Sequence, residues 1–563
     1  MNIEEVQRSL WEQSKEHREY RESGRPLFPV NPYDKRIRNL MDLMHNPTWL
    51  RAAAERVLIR SRGKKLGVDK ITVHQFEKNY EENIEALRLE LKRGTYRPQP
   101  VRQAKIPKAN GTMRTLGIPC LRDKIVQEAM RMALEPVFEV EFHECSYGFR
   151  PNRNAHHAVV RCQQLMQKKF TWVIEGDVKA CFDEISHKAI TKVIREKVMD
   201  NKFLVLVDLF LKAGVSIDGV VHPTEKGVPQ GGVISPLLAN AVLNKLDWYL
   251  HSKGVHDQAV NLAWKQGRSN IRFVRYADDW CVFITRGSKR LAESLRNEIA
   301  EFLYRECGLR LSQEKTLITH VRDKFTFLGF RLGIGVGKSG KYVPKIKVGK
   351  KGVENLKRRI DEETRQVPSH TSISARIFRA SLVIKGWGAY YSLAHNYMKV
   401  AADMDHRIFW TLVKAICRKQ DCSTAQCLKE HYRKGTITYK GEENLARLHD
   451  RPRKLGTQKP APYLPGGINV YDPDEDAGED LRCLTERNRP GSGDLKLAIL
   501  QRDKYRCRSC AREVTARNSH LDHIKPVKDF PNLQMANELD NLQTLCVGCH
   551  RLKGDTKKKK KKK

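Results

Sequence analysis

Two adjacent aspartates between two apolar runs constrain the fold of this chain more than any other feature. The stretch FVRYADDWCVFI at 273–284 has Asp278 and Asp279 at its centre, with strand-like apolar residues on both sides. Such runs, separated by so short a polar interruption, predict an antiparallel β-hairpin with the carboxylates at its turn. Two carboxylates this close repel each other unless a cation lies between them. The hairpin therefore predicts either a solvated turn or part of a site for a pair of divalent metal ions.

A third aspartate, about one hundred residues upstream, favours the metal site. In TWVIEGDVKACFDEI at 171–185 an apolar, strand-like run ends at Asp177. Two-metal phosphoryl transfer needs carboxylates from separate strands that hold the ions roughly 3.5–4 Å apart. Asp177 at one strand end and Asp278 on a neighbouring hairpin provide that arrangement. Asp183 is a rival in the same stretch, but it follows the strand and is predicted to be a turn residue or a helix cap.

The net charge of the chain indicates a polyanionic partner. The 563 residues include 104 Lys and Arg against 66 Asp and Glu, a formal net charge of +38. A surplus of that size costs a compact fold self-repulsion unless a polyanion neutralises it, which makes nucleic acid the leading partner. A hydrophobic content of 40% is sufficient for sizeable cores and excludes a chain that is disordered throughout. The chain has neither a run of roughly 20 apolar residues nor a signal-peptide pattern, so we expect a cytoplasmic protein with no membrane partner.

Changes in composition along the chain predict its division into segments. Residues 331–460 carry 28 Lys and Arg against 11 Asp and Glu, and residues 471–480 hold six acidic residues, a composition typical of linkers. A chain of this length is expected to contain three or four domains at roughly 150 residues each. The expected segments are a helical N-terminal extension at 1–60, a mixed unit of helices and strands at 61–330, a basic and mostly helical region at 331–415, a basic region with an acidic linker at 416–480, a compact module at 481–555 and a basic tail at 556–563.

Two C-x-x-C pairs in the C-terminal module predict a metal centre. Cys507 and Cys510 form one pair, and Cys546 and Cys549 form the other. Two separate knuckles of this kind are typical of a four-cysteine zinc site and favour Zn²⁺ over an iron–sulfur cluster. Four thiolates leave no open coordination position, so the predicted role is structural. The other ten cysteines are too dispersed for a disulfide framework, and we expect them to be reduced thiols.

A series of motifs, in order along the chain, resembles the reverse transcriptases encoded by group II introns. The likeness covers about residues 1–415 and implies a multidomain α+β protein with a right-hand polymerase, whose fingers and palm lie at 61–330 and whose helical thumb, or maturase (X) domain, lies at 331–415. The motifs are VRQAKIPKANGTMRTLGIPCLRDKIVQEA at 101–129, SYGFRPNRNAHHAV at 146–159, Asp177 with Phe182, GVPQGGVISPLLAN at 227–240, RYADD at 275–279, LRLSQEKT at 309–316 and FLGF at 327–330.

This resemblance implies a role for each matching residue. Asp177, Asp278 and Asp279 match the catalytic triad that binds Mg²⁺, and Phe182 matches the aromatic gate that clashes with a ribonucleotide 2′-hydroxyl and so favours dNTPs. The other matches contact the nucleotide: Lys108 and Arg114 on the triphosphate, Gln230 and Gly231 in the pocket loop, and Lys315 as the general acid for pyrophosphate. Two of these matches have structural alternatives: Phe182 as a core aromatic and Lys315 as a solvated lysine. Arg150, Pro151 and Arg153 are expected to be structural or to contact RNA.

Aromatic and basic residues alternate at 384–397, within the region that resembles the thumb. Trp387, Tyr390, Tyr391 and Tyr397 lie close to Lys385 and His395 in this stretch. Such a surface can follow a phosphate backbone and stack on unpaired bases. The alternative is a helical bundle in which most of these rings are buried. The resemblance implies that this region binds the intron RNA and aids its splicing.

The C-terminal module resembles the HNH endonucleases, which have a ββα-metal motif. HLDHIKP at 520–526, NELDNLQTLC at 537–546 and the residue after Cys549 carry the likeness. It implies that His523 is the general base, that Asp522 and His550 bind a divalent ion, expected to be Mg²⁺, and that Asn541 positions the loop. His520 is expected only to lie on the module's face. The alternative is a zinc-ribbon DNA-binding module that does not cleave.

Together the two resemblances predict one multifunctional protein. It would be an RNA-directed DNA polymerase, an RNA maturase and an HNH endonuclease that act in target-primed reverse transcription (retrohoming), with intron RNA, target DNA and dNTPs as partners and a bacterial cytoplasm as location. Three alternatives remain open: a maturase with a vestigial polymerase, a retron- or CRISPR-associated reverse transcriptase, and a DNA nuclease with an inert N-terminal scaffold. The intact aspartate triad argues against the first and the HNH-like module against the second.

Overall fold

The computed structural model of the chain describes two compact units. The first unit is made of 1–51 and 65–472, and the second of 52–64 and 473–563. None of the described helices is long and apolar enough to cross a membrane. The described residues are 1–22, 35–107, 113–255, 266–312, 314–337, 339–368, 370–433, 435–439, 443–450, 471, 499–500, 502–503, 505–514, 519–524, 541–546 and 549.

Helices and strands alternate through most of the described chain. The helices are α1 (Ile3–Glu22), α2 (Leu40–Met44), α3 (Pro47–Ser61), α4 (Val73–Lys78), α5 (Tyr80–Arg93), α6 (Leu121–Glu139), α7 (Ala155–Gln167), α8 (Cys181–Glu184), α9 (His187–Arg195), α10 (Asn201–Leu211), α11 (Ser235–Lys253), α12 (Lys289–Cys307), α13 (Lys350–Thr364), α14 (Ile373–Tyr391), α15 (Tyr397–Gln420) and α16 (Thr424–His431). The strands are β1 (Val101–Pro107), β2 (Met113–Ile118), β3 (Phe170–Asp177), β4 (Val215–Ile217), β5 (Val220–His222), β6 (Ile271–Tyr276), β7 (Asp279–Thr285), β8 (Leu317–His320), β9 (Phe325–Phe327), β10 (Phe330–Val336), β11 (Tyr342–Val348), β12 (Tyr432–Arg433), β13 (Thr436–Tyr439), β14 (Glu443–Asn444), β15 (Ser519–His523) and β16 (Leu542–Cys546).

The central sheet of the first unit carries the three predicted aspartates. Its strand order is β6-β7-β3-β8, and every neighbouring pair is antiparallel. β3 ends at Asp177, and β6 and β7 form a hairpin around Ala277 and Asp278. Helices α7 and α11 pack against β6, which explains why the apolar residues of the hairpin are buried. The predicted strand end and the predicted hairpin are both confirmed.

A second sheet, with strand order β2-β1-β4-β5, stands beside the loop that follows β5. β1 pairs with β2 in antiparallel fashion and with β4 in parallel. Gly117 of β2 donates its backbone N–H to the carbonyl oxygen of Gln230 at 2.8 Å. The sheet and the predicted nucleotide-pocket loop are therefore joined by a backbone hydrogen bond.

Helix α6 is buried along almost its whole length. The N-terminal helix α1 packs along it. Gln7 donates its side-chain amide to the carbonyl oxygen of Met132, and Ser14 donates its hydroxyl to that of Val137, both at 2.8 Å. These buried hydrogen bonds attach the N-terminal helix to the core.

One continuous apolar core joins the central sheet to the basic helical region. It runs from α7, β3, β6 and β7 through β9, β10 and β11 to helices α13–α16, and it continues to Leu448. The boundary expected at 330/331 lies at the start of β10, inside this core. The boundary expected at 415/416 lies inside α15, a helix that continues to Gln420. Neither position separates two cores, because apolar residues on both sides of each pack together.

The aromatic residues at 384–397 belong to that core. Tyr397 is fully buried, and its hydroxyl donates to the carbonyl oxygen of Leu448 at 2.8 Å. The Tyr390 hydroxyl donates to the carbonyl oxygen of Leu328 at 2.8 Å, and the Trp387 indole donates to that of Gly352 at 2.9 Å. Tyr391 is also buried. These rings hold the helical region together, as the core alternative predicts, whereas the side chain of Lys385 is exposed.

The described part of the second unit is centred on the hairpin-like pair β15 and β16. The two strands are antiparallel, with Asp522 opposite Gln543 and His523 opposite Leu542. A small core of Leu500, Val514 and Leu545 packs with the cysteines. Asp503 is buried and accepts the backbone N–H of Thr544 at 2.8 Å, which anchors β16.

Candidate functional site

The three predicted aspartates meet at one end of the central sheet. Asp177 of β3 lies directly opposite Asp279 of β7 in the antiparallel register. Directly opposed residues have their side chains on the same face of a sheet. Tyr276 and Asp279 form the last pair of the β6–β7 hairpin, so Ala277 and Asp278 make up its two-residue turn. The fold thus brings together three carboxylates that are about one hundred residues apart in the chain.

Repulsion between these carboxylates makes the cluster a natural cation site. Desolvation and the neighbouring charge of Asp177 raise the pKa of Asp278. Desolvation, followed by the charges of Asp278 and Asp177, raises the pKa of Asp279 to about 6. A cation among the three carboxylates would relieve this repulsion. Clustered carboxylate oxygens are the donor set that Mg²⁺ prefers, so the residues present fit that ion.

Lys315 lies against the same cluster. Its ammonium group donates a hydrogen bond to a carboxylate oxygen of Asp177 at 3.0 Å, and this contact raises the pKa of Lys315. The lysine side chain is 68% exposed, so it can move away without disturbing the core. A protein cation therefore occupies a position beside Asp177 where it neutralises part of the negative charge.

Two of the predicted nucleotide-binding residues contact each other beside β2. The guanidinium of Arg114 donates to the side-chain oxygen of Gln230 at 2.8 Å. The amide of Gln230 in turn lies 3.4 Å from a carboxylate oxygen of Asp183. This chain of contacts runs from the second sheet to the segment that follows Asp177. Arg114 is thus held where its charge can meet an anion near the aspartates.

Phe182 and Gly231 lie on the two segments that this chain of contacts connects. Phe182 is half-buried on the one-turn helix α8, and its carbonyl oxygen accepts the backbone N–H of Val228 at 2.6 Å. Gly231 has a φ of +121°, and a Cβ at this position would lie 2.5 Å from the carbonyl oxygen of Gly117. Only glycine fits this close approach of two backbones.

The placement of Asp183 corrects one prediction. Asp183 lies within α8, and Ala180 occupies the N-cap position, so the prediction of a turn or a helix cap is wrong. The short helix begins at Cys181, directly after Ala180, which adopts a left-handed conformation with φ of +45°. The contact with Gln230 places the Asp183 carboxylate beside the predicted nucleotide pocket. The sequence motifs do not indicate this position.

The sequence analysis also missed Asp247, whose charge is fully buried on α11. It accepts two hydrogen bonds from Arg275, at 2.8 and 2.6 Å. A charged residue within the mostly apolar stretch LANAVLNKLDWYL is unusual unless it has a buried partner. The position of Asp247 in this stretch is the signal from which a buried ion pair could have been predicted.

The arginines of the SYGFRPNR stretch have structural positions. Arg150 is buried, forms an ion pair with Glu139 at 2.8 Å and donates to the carbonyl oxygen of His143 at the same distance. Arg153 donates to the carbonyl oxygen of Ser146 at 3.1 Å. Both arginines therefore hold the loop before α7 in place. Lys108, predicted to contact the triphosphate, lies outside the described residues.

The four cysteines of the second unit converge as predicted. One ligand atom from each of Cys507, Cys510, Cys546 and Cys549 lies within 4.8 Å of the others. The backbone N–H groups of Cys546 and Cys549 donate to the sulfur atoms of Cys507 and Cys546, at 3.3 and 3.4 Å. Four thiols with such backbone donors are compatible with a structural zinc site.

Two of the predicted nuclease residues, Asp522 and His523, lie on β15, and Asn541 directly precedes β16. Asp522 accepts a hydrogen bond from the side chain of Gln543 at 3.1 Å, and both Asp522 and His523 are half-buried. Asn541 is buried, and its carbonyl oxygen accepts the backbone N–H of Ile524 at 2.7 Å. These contacts tie Asn541 to the end of β15. His550 lies outside the described residues.

Three protein-family models match the chain. The model for reverse transcriptase (RNA-dependent DNA polymerase) matches residues 106–332. The model for the group II intron maturase-specific domain matches 353–433, and the model for HNH endonuclease matches 507–556. The first match contains the aspartate cluster, and the third contains the four cysteines.

Several curated proteins are similar over shorter or longer parts of the chain. Protein YkfC of Escherichia coli (strain K12) is 40% identical over 319 residues, which cover 53% of this chain and 83% of YkfC. Group II intron-encoded protein LtrA of Lactococcus lactis subsp. cremoris is 32% identical over 390 residues, 60% of this chain and 63% of LtrA. Nuclear intron maturase 1, mitochondrial, of Arabidopsis thaliana is 27% identical over 286 residues, 37% of this chain and 40% of that protein.

The fold and the aspartate cluster define a polymerase of the reverse transcriptase class, and the second unit adds an HNH endonuclease domain. With the maturase-specific domain between them, the chain belongs to the family of group II intron-encoded reverse transcriptases and maturases. The predicted family resemblances are confirmed.

Proposed function

We propose that this protein copies intron RNA into DNA at a target site that its own HNH module has nicked, and that it also aids the splicing of that RNA. The single observation that carries the proposal is the pairing of Asp177 with Asp279 at the end of the central sheet, with Asp278 in the adjoining turn. The reverse transcriptase match over 106–332 includes all three. The partners are intron RNA, target DNA and dNTPs.

The aspartates would hold the metal ions of the polymerase. Two Mg²⁺ ions, when bound, would activate the primer 3′-hydroxyl and stabilise the leaving pyrophosphate. Asp177, Asp278 and Asp279 offer carboxylates from two strand ends and a turn. Lys315, which contacts Asp177, would move from that carboxylate and donate a proton to the departing pyrophosphate. The contact with Asp177 raises the pKa of Lys315, so the amine becomes a better proton donor once it leaves that carboxylate.

The pocket residues would orient the incoming dNTP. Lys108 and Arg114 place cationic groups on the triphosphate, and the fork of an arginine suits phosphate oxygens. Gln230 shares its side-chain oxygen with Arg114 and so places the guanidinium before the nucleotide arrives. Gly231 allows the nucleotide to approach the loop backbone closely. The half-buried ring of Phe182 follows Asp177 by five residues and would exclude a 2′-hydroxyl.

The HNH module would nick one strand of the target DNA. His523 is the general base that takes a proton from water, and Asn541 holds the end of β15 through its hydrogen bond with Ile524. Asp522 and His550 would hold a divalent ion such as Mg²⁺, which stabilises charge on the scissile phosphate when bound. Cys507, Cys510, Cys546 and Cys549 would bind a structural Zn²⁺.

The finer architecture that we propose is a right-hand polymerase. The fingers and palm occupy 61–330, and the helical thumb and maturase region follows. Its packing extends beyond residue 415, because the continuous core reaches Leu448. The region after it, to 480, would contact DNA and link to the HNH module at 481–555, with the lysine tail at 556–563.

Primer extension on an RNA template with Mg²⁺ and dNTPs tests the polymerase directly. We expect the wild type to extend the primer and Asp278→Ala to lower the rate by about 1,000-fold, because a metal ligand is lost. Asp323→Ala, a change at an exposed aspartate of the same unit, is the matched control and should keep wild-type activity. Tight RNA binding without extension by the wild type would contradict the polymerase assignment and favour a maturase with a vestigial polymerase.

A further inference from the structure

The turn of the β6–β7 hairpin has a strained backbone, because a two-residue hairpin turn needs a positive φ at its first residue. Ala277, the first residue of the turn, has a φ of +58°, a conformation that residues with a side chain rarely adopt. Such a conformation persists when the surroundings determine it, and its neighbour Asp278 is one of the three aspartates.

A buried arginine holds the carbonyl of this strained residue. Arg275 is fully buried and donates through Nη1 to the carbonyl oxygen of Ala277 at 2.9 Å. Its Nε and Nη2 atoms donate to the two oxygens of Asp247, at 2.8 and 2.6 Å. The ion pair fixes the plane of the guanidinium, and the third contact directs it at the turn. Arg275 is therefore oriented before any ligand binds.

A second connection approaches the same turn from the loop before α7. Asn240 is buried on α11, accepts from Arg275 Nη1 at 2.8 Å and donates to the carbonyl oxygen of Gly148 at 2.7 Å. A Cβ on Gly148 would lie 2.4 Å from the backbone nitrogen of Ala277. The loop and the turn are thus in backbone contact, and Asn240 ties the loop to the arginine that holds the turn.

We propose that Arg275, Asp247, Asn240 and Gly148 form a positioning unit that sets the location of Asp278 for metal binding. The four residues act through the backbone of Ala277 and do not contact substrate. This inference rests on the proposed polymerase function, because it takes Asp278 to be a ligand of the catalytic metal ions. The active site then depends on two further segments of the chain, the loop before α7 and helix α11.

Gly148→Ala is the sharpest test because its methyl group would displace the turn and remove no hydrogen bond. We expect kcat for primer extension to fall about 100-fold, the cost of a displacement near 1 Å at a reacting centre. The Mg²⁺ concentration for half-maximal rate should rise, and the dissociation constant for template–primer should stay at the wild-type value. Gly386→Ala, where nothing lies within 4 Å of the added carbon, is the matched control.

Asn240→Ala gives an independent test that leaves the Arg275–Asp247 ion pair intact. We expect a smaller loss of kcat, about tenfold, with the same rise in the Mg²⁺ requirement. Asn297→Ala, at an exposed asparagine of α12, controls for the substitution itself. Thermal melting of all variants shows whether they are folded.

Binding of Mn²⁺, followed by electron paramagnetic resonance, reports on the metal position without catalysis. Weaker Mn²⁺ binding by Gly148→Ala and Asn240→Ala, with unchanged melting temperatures, would support the positioning unit. Wild-type Mn²⁺ affinity in both variants would overturn it, whether or not activity falls, because the defect would then lie elsewhere. A wild type that binds Mn²⁺ through Asp278 but extends no primer would overturn the proposed function alone.

Discussion

At the residue scale, the clustering of the three aspartates lowers the folding stability at neutral pH. The pKa of Asp279 is raised from the ordinary value of 3.8 to about 6, first by desolvation and then by its two acidic neighbours. The folded protein therefore binds this proton more tightly than the unfolded chain does. Folding is penalised as the pH rises from about 4 to about 6, and the penalty is complete above that range.

Asp279→Asn should therefore stabilise the protein in the absence of metal. We expect its melting temperature in a chelator at about pH 7.5 to exceed that of the wild type by about one to two degrees. The gain should shrink at about pH 5, where Asp279 is largely protonated in the wild type. Primer extension should be lost, since a neutral amide is a poor ligand for Mg²⁺.

Scanning fluorimetry at the two pH values measures this difference. The same substitution at Asp323, an exposed aspartate, should show no such pH-dependent gain. An Asp279→Asn protein that is less stable than the wild type at about pH 7.5 would show that the attraction of Asp279 to Lys315 outweighs its desolvation and its repulsion from the other two carboxylates.

At the scale of elements, the contact between β3 and β7 depends on a missing side chain. Gly176 of β3 lies opposite Trp280 of β7. This pair is adjacent to the pair formed by Asp177 and Asp279. The Trp280 ring covers the glycine, and a Cβ on Gly176 would lie 2.1 Å from ring atoms. The ring can pack between the strands only because the partner residue is glycine.

Gly176→Ala should force the two strands apart beside the aspartates. We expect a loss of about 1–3 kcal/mol in the free energy of unfolding, the usual cost of overpacking a core, together with a large loss of primer extension. Chemical denaturation and the extension assay measure the two effects. Gly335→Ala on β10, where the nearest atom is an ordinary 3.5 Å contact with Lys345, should be tolerated.

Elements with local signals could be predicted from the sequence, and contacts between distant segments could not. The hairpin around Asp278, the strand that ends at Asp177 and helix α6 follow from apolar periodicity and turn residues. The pairing of Arg275 with Asp247 depends on how α11 lies across β6. No spacing along the chain indicates that contact, although the buried charge on an apolar helix marks Asp247 as unusual.

The same limit explains the domain boundaries. The resemblance to the reverse transcriptases covers the chain to about 415 and suggested a boundary there. Helix α15 continues through this position because Leu412, Val413 and Ile416 are all buried in the shared core. The four cysteines were predictable from spacing alone, since each C-x-x-C pair is a local motif. The contact of Asp183 with Gln230 was not, because it joins helix α8 to a loop that is distant in the sequence.

At the scale of the whole molecule, two compact units with separate cores predict two separable activities. His523→Ala should abolish nicking of target DNA, because the proposed general base is lost, and leave primer extension within about twofold of the wild type. Asp278→Ala should do the opposite. Nicking of a labelled duplex and primer extension on RNA, run on the same preparations, measure both activities.

His520→Ala is the matched control for the nuclease, since His520 lies on the same strand with an exposed side chain. It should keep both activities. A His523→Ala protein that still nicks DNA would show that His523 is not the general base. A wild type that binds target DNA without nicking it would favour the alternative of a zinc-ribbon module that does not cleave.

The continuous core from β3 to Leu448 has a consequence for how proteins of this design can change over generations. The helices of the maturase region and the sheet that carries the aspartates share one apolar interior, so neither can be deleted without exposing the other. A lineage that lost DNA synthesis and kept only its role in splicing could lose the three carboxylates. It would still have to retain the sheet, because the maturase helices pack against it. Descendants with a silent polymerase should therefore be recognisable by a preserved palm with altered aspartates, rather than by a shortened chain.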